Sequence, residues 1–88
     1  METPFPNPAR SGTVIRYQLP TASVVKVELY NITGQRIATL FDGQQNSGFH
    51  ATSWDLRDAN GSAVPNGVYF IRLSAGSRQV TSKLIVIR

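Results

Sequence analysis

The feature that most constrains this chain is a short-range alternation of apolar and polar side chains, broken every few residues by a glycine or proline turn. Successive side chains of a β-strand point to opposite faces, so a period of two residues predicts strands with one buried face. The pattern indicates strands at residues 13–19, 24–30, 36–40, 49–54, 68–73 and 80–87. No segment keeps a helical period, and the sequence therefore predicts an all-β domain.

Residues 54–73 are the centre of the predicted fold. Trp54, the only tryptophan, ends an apolar run and is followed by two turns, in which Gly61 and Gly67 supply the freedom for a positive φ. Tyr69 then shares one face of the next strand with two branched aliphatic residues. We expect the core to contain Trp54 and five aliphatic residues from three strands: Ile15, Val27, Leu29, Ile71 and Leu73.

The chain begins with prolines at positions 4, 6 and 8, which exclude a helix there. They predict an extended lead-in over residues 1–12, followed by a folded domain over residues 13–88. Six or seven short strands in 88 residues predict an antiparallel β-sandwich of immunoglobulin-like type. Because the chain contains no cysteine, this sandwich is expected to hold without a disulfide, by packing and backbone hydrogen bonds.

Three features of the topology are predicted from weaker patterns. Residues 20–23 permit either a hairpin or a crossing between the two sheets. Residues 42–48 are polar, contain two glycines and are predicted to form a loop. The last strand, residues 80–87, carries apolar side chains on both faces, so we predict that it lies inside a sheet or at an interface and not at a free edge.

The net charge of +4 comes from nine basic side chains spread along the chain, with no two adjacent. Nucleic-acid binders usually concentrate their charge or interleave it with stacking aromatics, so the sequence does not favour a nucleic-acid partner. Arg16, Lys26, Arg72 and Lys83 all fall on predicted strands. If they align across one sheet, they predict a weak, salt-sensitive contact with an anionic surface. The alternative is that they belong to solvated strand faces.

Catalytic and metal-binding groups are scarce. His50 is the only histidine and the five carboxylates are scattered, so we predict no catalytic residue, no cofactor and no metal. Asp55 and Asp58 share a loop without a cleft to desolvate them. Asp58, Asn60 and Gly61 match part of a calcium loop, but the bidentate acid that should follow is missing. A turn capped by side chains explains the same residues and is preferred.

Tyr30 and Phe70 are placed on outward strand faces by the same alternation. Exposed aromatic rings on a sheet suit carbohydrate binding, because one side of the ring stays free for contact. A carbohydrate-binding or structural accessory module of a secreted glycan-degrading enzyme is therefore one hypothesis for the function. The alternative role for these rings is packing.

Five short motifs follow one another at spacings typical of a known family. They are Pro6-Asn7-Pro8, the run from Tyr30 through Gly34 to Ile37, Gly48-Phe49-His50 with Trp54-Asp55, Asn66-Gly67-Val68-Tyr69-Phe70, and the closing run from Lys83 to Arg88. In this order the chain resembles type A C-terminal sorting domains of the type IX secretion system, over nearly its whole length. Its block at residues 54–65 is more similar to the immunoglobulin-like domain of flagellar-hook capping proteins.

This resemblance implies a noncatalytic domain of a larger secreted bacterial protein, usually a hydrolase, to which it is covalently joined. The domain would be recognised by outer-membrane secretion and surface-attachment machinery and would reach the cell surface or medium through the periplasm, as a monomer. The residues that the resemblance assigns to recognition are Gly34, Gly67, Tyr69, Lys83, Leu84, Ile85, Val86, Ile87 and Arg88. No segment has the apolar run of a signal peptide, so we expect the export signal elsewhere in a longer protein.

Overall fold

The computed structural model, which describes residues 1–88, has six strands in two antiparallel sheets that enclose one apolar core. The strands are β1 Thr13–Leu19, β2 Ser23–Tyr30, β3 Arg36–Gln45, β4 Gly48–Trp54, β5 Gly67–Ala75 and β6 Arg78–Val86. One sheet pairs β1 with β4, and the other has the order β3-β2-β5-β6. The predicted all-β sandwich is confirmed. The protein has no helix of the length and apolarity that a membrane crossing requires.

Side chains from both sheets form the core. Sixteen buried apolar residues make one continuous cluster, and β1 and β5 bury alternate residues as a two-residue period requires. Trp54 is 2% exposed and meets the ring of Tyr69 edge to face, with centroids 5.7 Å apart. The other residues expected in the core are all buried: Ile15, Val27, Leu29, Ile71 and Leu73.

The structure decides between the two alternatives for one connection and corrects the prediction for another. Residues 20–23 cross between the sheets, because β1 pairs with β4 while β2 lies in the other sheet. The predicted loop at residues 42–48 is wrong: β3 continues to Gln45, and only two residues separate it from β4. The extension follows from β2, whose first residues pair with it, Ser23 opposite Gln45 and Val25 opposite Gly43. A paired backbone stabilises this polar segment as a strand in spite of its composition.

β6 lies at the edge of the four-stranded sheet, so the interior position, one of the two alternatives predicted for this strand, is wrong. The proline-rich lead-in covers part of that edge. Ala9 forms a parallel bridge with Val86, in which the Ala9 amide donates to the Ile85 carbonyl at 2.8 Å. Further upstream, Phe5 and Val14 exchange two backbone hydrogen bonds, so the lead-in also extends the other sheet. Leu84 and Val86 face the core, whereas Ile85 is partly buried and Ile87 is exposed.

Candidate recognition surface

The end of the chain is fastened to the long connection between β4 and β5, residues 55–66. The guanidinium of Arg88 donates to the carbonyls of Leu56, at 2.8 Å, and Val64, and its backbone amide donates to Asn66 Oδ1 at 3.0 Å. Leu56 and Val64 are themselves buried. We call Arg88, Leu56, Val64 and Asn66 the C-terminal clasp. It joins segments 22 to 32 residues apart in the chain.

The connection inside the clasp is a small hairpin of its own. Its base is formed by the Val64 amide, which donates to the Leu56 carbonyl at 2.9 Å, and Arg57 bridges Ala63. Leu56 has φ of 63° and is fully buried, an uncommon backbone conformation for a branched residue. The indole Nε1 of Trp54 donates to the Arg57 carbonyl at 2.9 Å. Core burial and indole donation together hold this hairpin against the sandwich.

Tyr69 supports the clasp from β5. Its hydroxyl donates to the carbonyl of Pro65 at 2.6 Å, next to Asn66 in the clasp. Burial raises the pKa of the Tyr69 phenol above its ordinary value, and the nearby Arg88 guanidinium lowers it by a smaller amount. The phenol therefore stays protonated to higher pH than an exposed tyrosine and keeps its donor role.

The two loop carboxylates and the histidine have structural partners. Asp58 Oδ1 accepts from the amides of Asn60 at 2.9 Å and Ser62 at 3.0 Å, which is the side-chain-capped turn expected from the sequence. Asp55 Oδ1 accepts from the amide of Arg57 at 3.2 Å. His50 Nε2 lies 2.7 Å from a backbone carbonyl, and its ring stacks on a tyrosine. No group of three or more acidic, histidine or cysteine side chains is placed to hold a metal ion.

Asn7 of the lead-in covers the edge of β6 by two side-chain hydrogen bonds. Its Oδ1 accepts from the amide of Ile85 at 3.0 Å, and its Nδ2 donates to the carbonyl of Lys83 at 3.2 Å. With the Ala9 bridge, the lead-in occupies the edge of β6 from Lys83 to Ile87. Lead-in hydrogen bonds do not reach the first residues of the strand, 78–82.

The outer face of the four-stranded sheet is basic. Lys26 on β2, Arg72 on β5 and Lys83 on β6 all point outward, on three adjacent strands. Arg16 does not join them, because it lies on β1 in the other sheet, so the hypothesis that all four cations align across one sheet is wrong. Glu28, on the same outer face, is only 5% exposed and pairs with Arg36 at 3.2 Å. The alternation of β2 by itself predicts an exposed carboxylate at this position.

Most residues that the resemblance assigns to recognition come together at one end of the molecule. In the register, Gly67 lies opposite Val86, and Tyr69 lies opposite Leu84. Leu84 and Val86 are fully buried and Ile85 is partly buried, whereas Lys83, Ile87 and Arg88 are exposed. Gly34 lies apart from the clasp, in the turn between β2 and β3, where its φ is +84°.

Sequence reasoning missed three residues that build this surface: Asn7, Leu56 and Val64. The signal for the last two was present, since they are the two branched aliphatic residues of a mostly polar connection. An aliphatic residue in such a setting often anchors a loop to the core. For Asn7 the only signal was its position between two prolines, which fixes an extended backbone but does not identify a partner.

Comparison with known proteins identifies both the family and similar structures. The family model described as the FlgD Ig-like domain matches residues 7–79, and the immunoglobulin-like class is thereby confirmed. Comparison with curated proteins gives no match.

Three solved structures share the fold. Dimeric latent PorU from Porphyromonas gingivalis matches at 26% identity and a TM-score of 0.75, over 96% of this chain and 9% of PorU. PorZ of the same bacterium is described as an essential surface component of its type IX secretion system. It matches at 25% identity and a TM-score of 0.65, over 97% of this chain and 11% of PorZ. FLGD from P. aeruginosa matches at 22% identity and a TM-score of 0.68, over 90% of this chain and 70% of FLGD. This match shows a likeness of fold. The chain thus spans about a tenth of the first two proteins.

Proposed function

The chain belongs to the FlgD Ig-like domain family, and from that premise we propose that it is a noncatalytic sorting and cell-surface attachment domain of a larger secreted bacterial protein. In this proposal the outer-membrane machinery of a type IX secretion system recognises the folded domain. The partner in the same polypeptide is an upstream domain, for which a hydrolase is the expected class. The domain acts outside the cytoplasm and as a monomer.

The structural neighbours support the setting. In PorU and PorZ a domain of this size and fold is a small part of a much longer chain, and PorZ is described as a surface component of a type IX secretion system. A module that recurs in such proteins at about a quarter identity is suited to a task that the system itself performs on many polypeptides. Placement and attachment are tasks of that kind, whereas a specific reaction is not.

The observation that carries the proposal is the C-terminal clasp. Arg88 donates to the carbonyls of two buried residues, so hydrogen bonds join the last strand and the 55–66 connection into one unit. The exposed side chains Lys83, Ile87 and Arg88 are then presented in a fixed arrangement, while Leu84 and Val86 hold the strand in place from the core. A receptor that reads a preformed surface loses less conformational entropy on binding than one that must order a flexible tail.

A noncatalytic role agrees with how the ionisable groups are used. Asp55 and Asp58 cap turns, Glu28 is paired with Arg36, and His50 is bound to a backbone carbonyl. None of these groups shares a desolvated cleft with a nucleophile, which general acid or base catalysis requires.

The test is an export assay in a bacterium that has a type IX secretion system. A reporter protein with a periplasmic signal is fused to residues 1–88, and reporter is measured in the periplasm, on the cell surface and in the medium. We expect export with the intact domain and periplasmic retention when residues 83–88 are deleted. Undiminished export of the deletion variant would contradict the proposal.

Two point variants separate recognition from folding. Lys83→Ala alters an exposed side chain of the proposed surface, and Arg16→Ala removes the same charge from the opposite sheet. Thermal unfolding of both purified domains checks that they fold equally. We expect Lys83→Ala to lower export and Arg16→Ala to leave it unchanged. Equal export of both would count against a role for Lys83.

A second candidate is an accessory module that stays on its enzyme without directing export. It is favoured by residues 54–65, whose likeness to flagellar-hook capping proteins agrees with the family match over residues 7–79. The same assay distinguishes the two functions. If the reporter with the intact domain remains in the periplasm, the accessory function is supported and the sorting function fails.

A further inference from the structure

Three cations on the outer face of the four-stranded sheet form no ion pair, although Lys26 lies opposite Asp42 and Arg72 lies opposite Glu28. The only ion pair in the protein joins Arg36 and Glu28. In the register, Arg72 lies opposite Thr81, and Lys83 is two residues further along β6, while Lys26 is diagonal to Arg72 on β2. Lys26 is level with Ser74 and Lys83 is level with Phe70. Strands in a sheet are about 4.8 Å apart and rise about 3.3 Å per residue, so these three cations are spread over roughly 16 Å. Their charge is available to a ligand.

Two aromatic rings lie beside these cations. Tyr30 and Phe70 are direct cross-strand neighbours on the outer face, and both are partly buried. A shallow pocket of about 200 Å³ adjoins them, bounded also by Arg72, Thr81 and Ile32. Asn31 and Gly34 complete the lining, so three apolar side chains share this pocket with a guanidinium, a side-chain amide and a hydroxyl.

Arg72 is held in position before any ligand binds. Its guanidinium carbon lies 4.4 Å from the centroid of the Tyr30 ring, and its Nη1 donates to the Tyr30 hydroxyl at 3.3 Å. Stacking on an aromatic ring orients a guanidinium and leaves its other N–H groups free. A preorganised guanidinium binds carboxylate or phosphate with less loss of side-chain entropy than a free one.

We propose that this face binds an acidic glycan, with one sugar ring in the pocket against Phe70 and Tyr30 and its carboxylate or phosphate on Arg72 and Lys83. The pocket is smaller than the roughly 300 to 1,000 Å³ of typical drug-sized sites, which suits a single ring. Cations spread over three strands suit a chain with repeated negative charges. An acidic peptide would satisfy the cations but has no ring for the pocket. The proposal does not depend on the sorting function, because the isolated domain is sufficient for binding.

The first experiment is an NMR titration of the ¹⁵N-labelled domain with three probes. Tetragalacturonate has rings and carboxylates, maltotetraose has rings without charge, and tetraglutamate has carboxylates without rings. We expect tetragalacturonate to shift amides at residues 30–34, 70–72 and 81–83, and to bind about tenfold more tightly than either other probe. Equal binding of tetraglutamate would replace the glycan with a general acidic partner, and no shifts with tetragalacturonate would overturn the proposal.

The second experiment compares two variants with the same change of charge. Arg72→Met removes the guanidinium beside the pocket, and Arg16→Met does the same on the opposite sheet. We expect Arg72→Met to weaken tetragalacturonate binding about tenfold, as the loss of a charge-assisted hydrogen bond does. Arg16→Met should change it by less than about twofold at 0.15 M salt. Equal losses in both variants would mean that only net charge matters, and the proposed site would be rejected. The amide spectra of the free variants report whether each is folded.

Discussion

Two polar segments that contain glycines lie on either side of β4, and they are stabilised by different kinds of interaction. Residues 42–48 precede the strand and mostly continue β3, where Val25 pairs with Gly43 and Ser23 with Gln45. Residues 55–66 follow the strand, lie outside the named strands and are fastened by side chains of Trp54, Tyr69 and Arg88. The first segment is held mainly by backbone pairing, with one side-chain hydrogen bond from the Tyr17 hydroxyl to Gln45 Oε1, and the second is held by several side-chain anchors.

The difference determines where substitutions should matter. Backbone hydrogen bonds of a ladder do not depend on side-chain identity, so exposed positions of residues 42–48 should tolerate change. Each anchor of residues 55–66 supports several others, because the Leu56 carbonyl accepts from both Arg88 and the Val64 amide. We therefore expect the free energy of unfolding to be sensitive at the anchors of the second segment and insensitive in the first.

The largest effect is expected for Trp54→Ala, which should lower the free energy of unfolding by about 3 to 5 kcal/mol. The substitution removes a buried ring in contact with Tyr69 and the donor to the Arg57 carbonyl. Urea unfolding followed by circular dichroism measures it, since the variant lacks the fluorophore. Phe49→Ala on the same strand is the control, because Phe49 is 81% exposed and should cost under about 0.5 kcal/mol. Similar losses for both variants would mean that the indole is not an anchor.

Next is Arg88→Met, which keeps an aliphatic side chain but removes both guanidinium hydrogen bonds of the C-terminal clasp. Hydrogen bonds from charged donors contribute about 1.5 to 3 kcal/mol, and we expect a loss in that range. Amide hydrogen exchange should accelerate at Val64, next to the released carbonyls, and stay unchanged at Gly43. Arg78→Met, an exposed cation at the other end of β6, is the matched control. Equal exchange rates at Val64 in the two variants would show that the clasp does not hold the connection.

The strands could be predicted from sequence where the core itself imposes the alternation. β1 and β5 begin and end within two residues of their predicted bounds, because each has one face in the core. The extension of β3 could not be predicted, since Asp42 to Gln45 are polar and become a strand only through pairing with β2. That pairing depends on the arrangement of strands in the sheet, and it produces no apolar-polar alternation in the sequence of residues 42–45.

The candidate surface was predictable only in part. Resemblance identified Gly67, Tyr69 and the last strand, which the register does bring together. The hydrogen bonds of Arg88 join residues 24 and 32 positions apart, and an arginine after an apolar strand is equally typical of a solvated end. Nor does the sequence alone reveal that Asn7 covers the edge of β6, since that contact spans 78 residues.

Glycines in the two segments give a matched pair for the third prediction. Gly61 has φ of +81° with open space around its Cα, so Gly61→Ala should cost about 1 to 2 kcal/mol through backbone strain alone. Gly43 lacks a positive φ, and an added Cβ would meet the Phe41 ring at an ordinary 3.6 Å. Gly43→Ala should therefore stabilise by about 0.4 to 1 kcal/mol, by restricting the unfolded chain. Urea midpoints that shift in the same direction would remove the distinction between the segments.

The smallest effect is expected for Tyr69→Phe, which removes the hydrogen bond to Pro65 and should cost about 1 kcal/mol near neutral pH. The loss of the phenol should also change how the free energy of unfolding depends on pH. The pKa of Tyr69 is raised in the folded protein, so above about pH 10 the unfolded chain loses this proton first. The stabilisation by the phenol is complete below that pH and disappears as pH rises through the folded pKa. The free energy of unfolding of the wild type should thus fall more steeply with alkaline pH than that of Tyr69→Phe. Urea unfolding from pH 8 to 11 measures both. If the two free energies fall in parallel, the phenol does not contribute to the clasp.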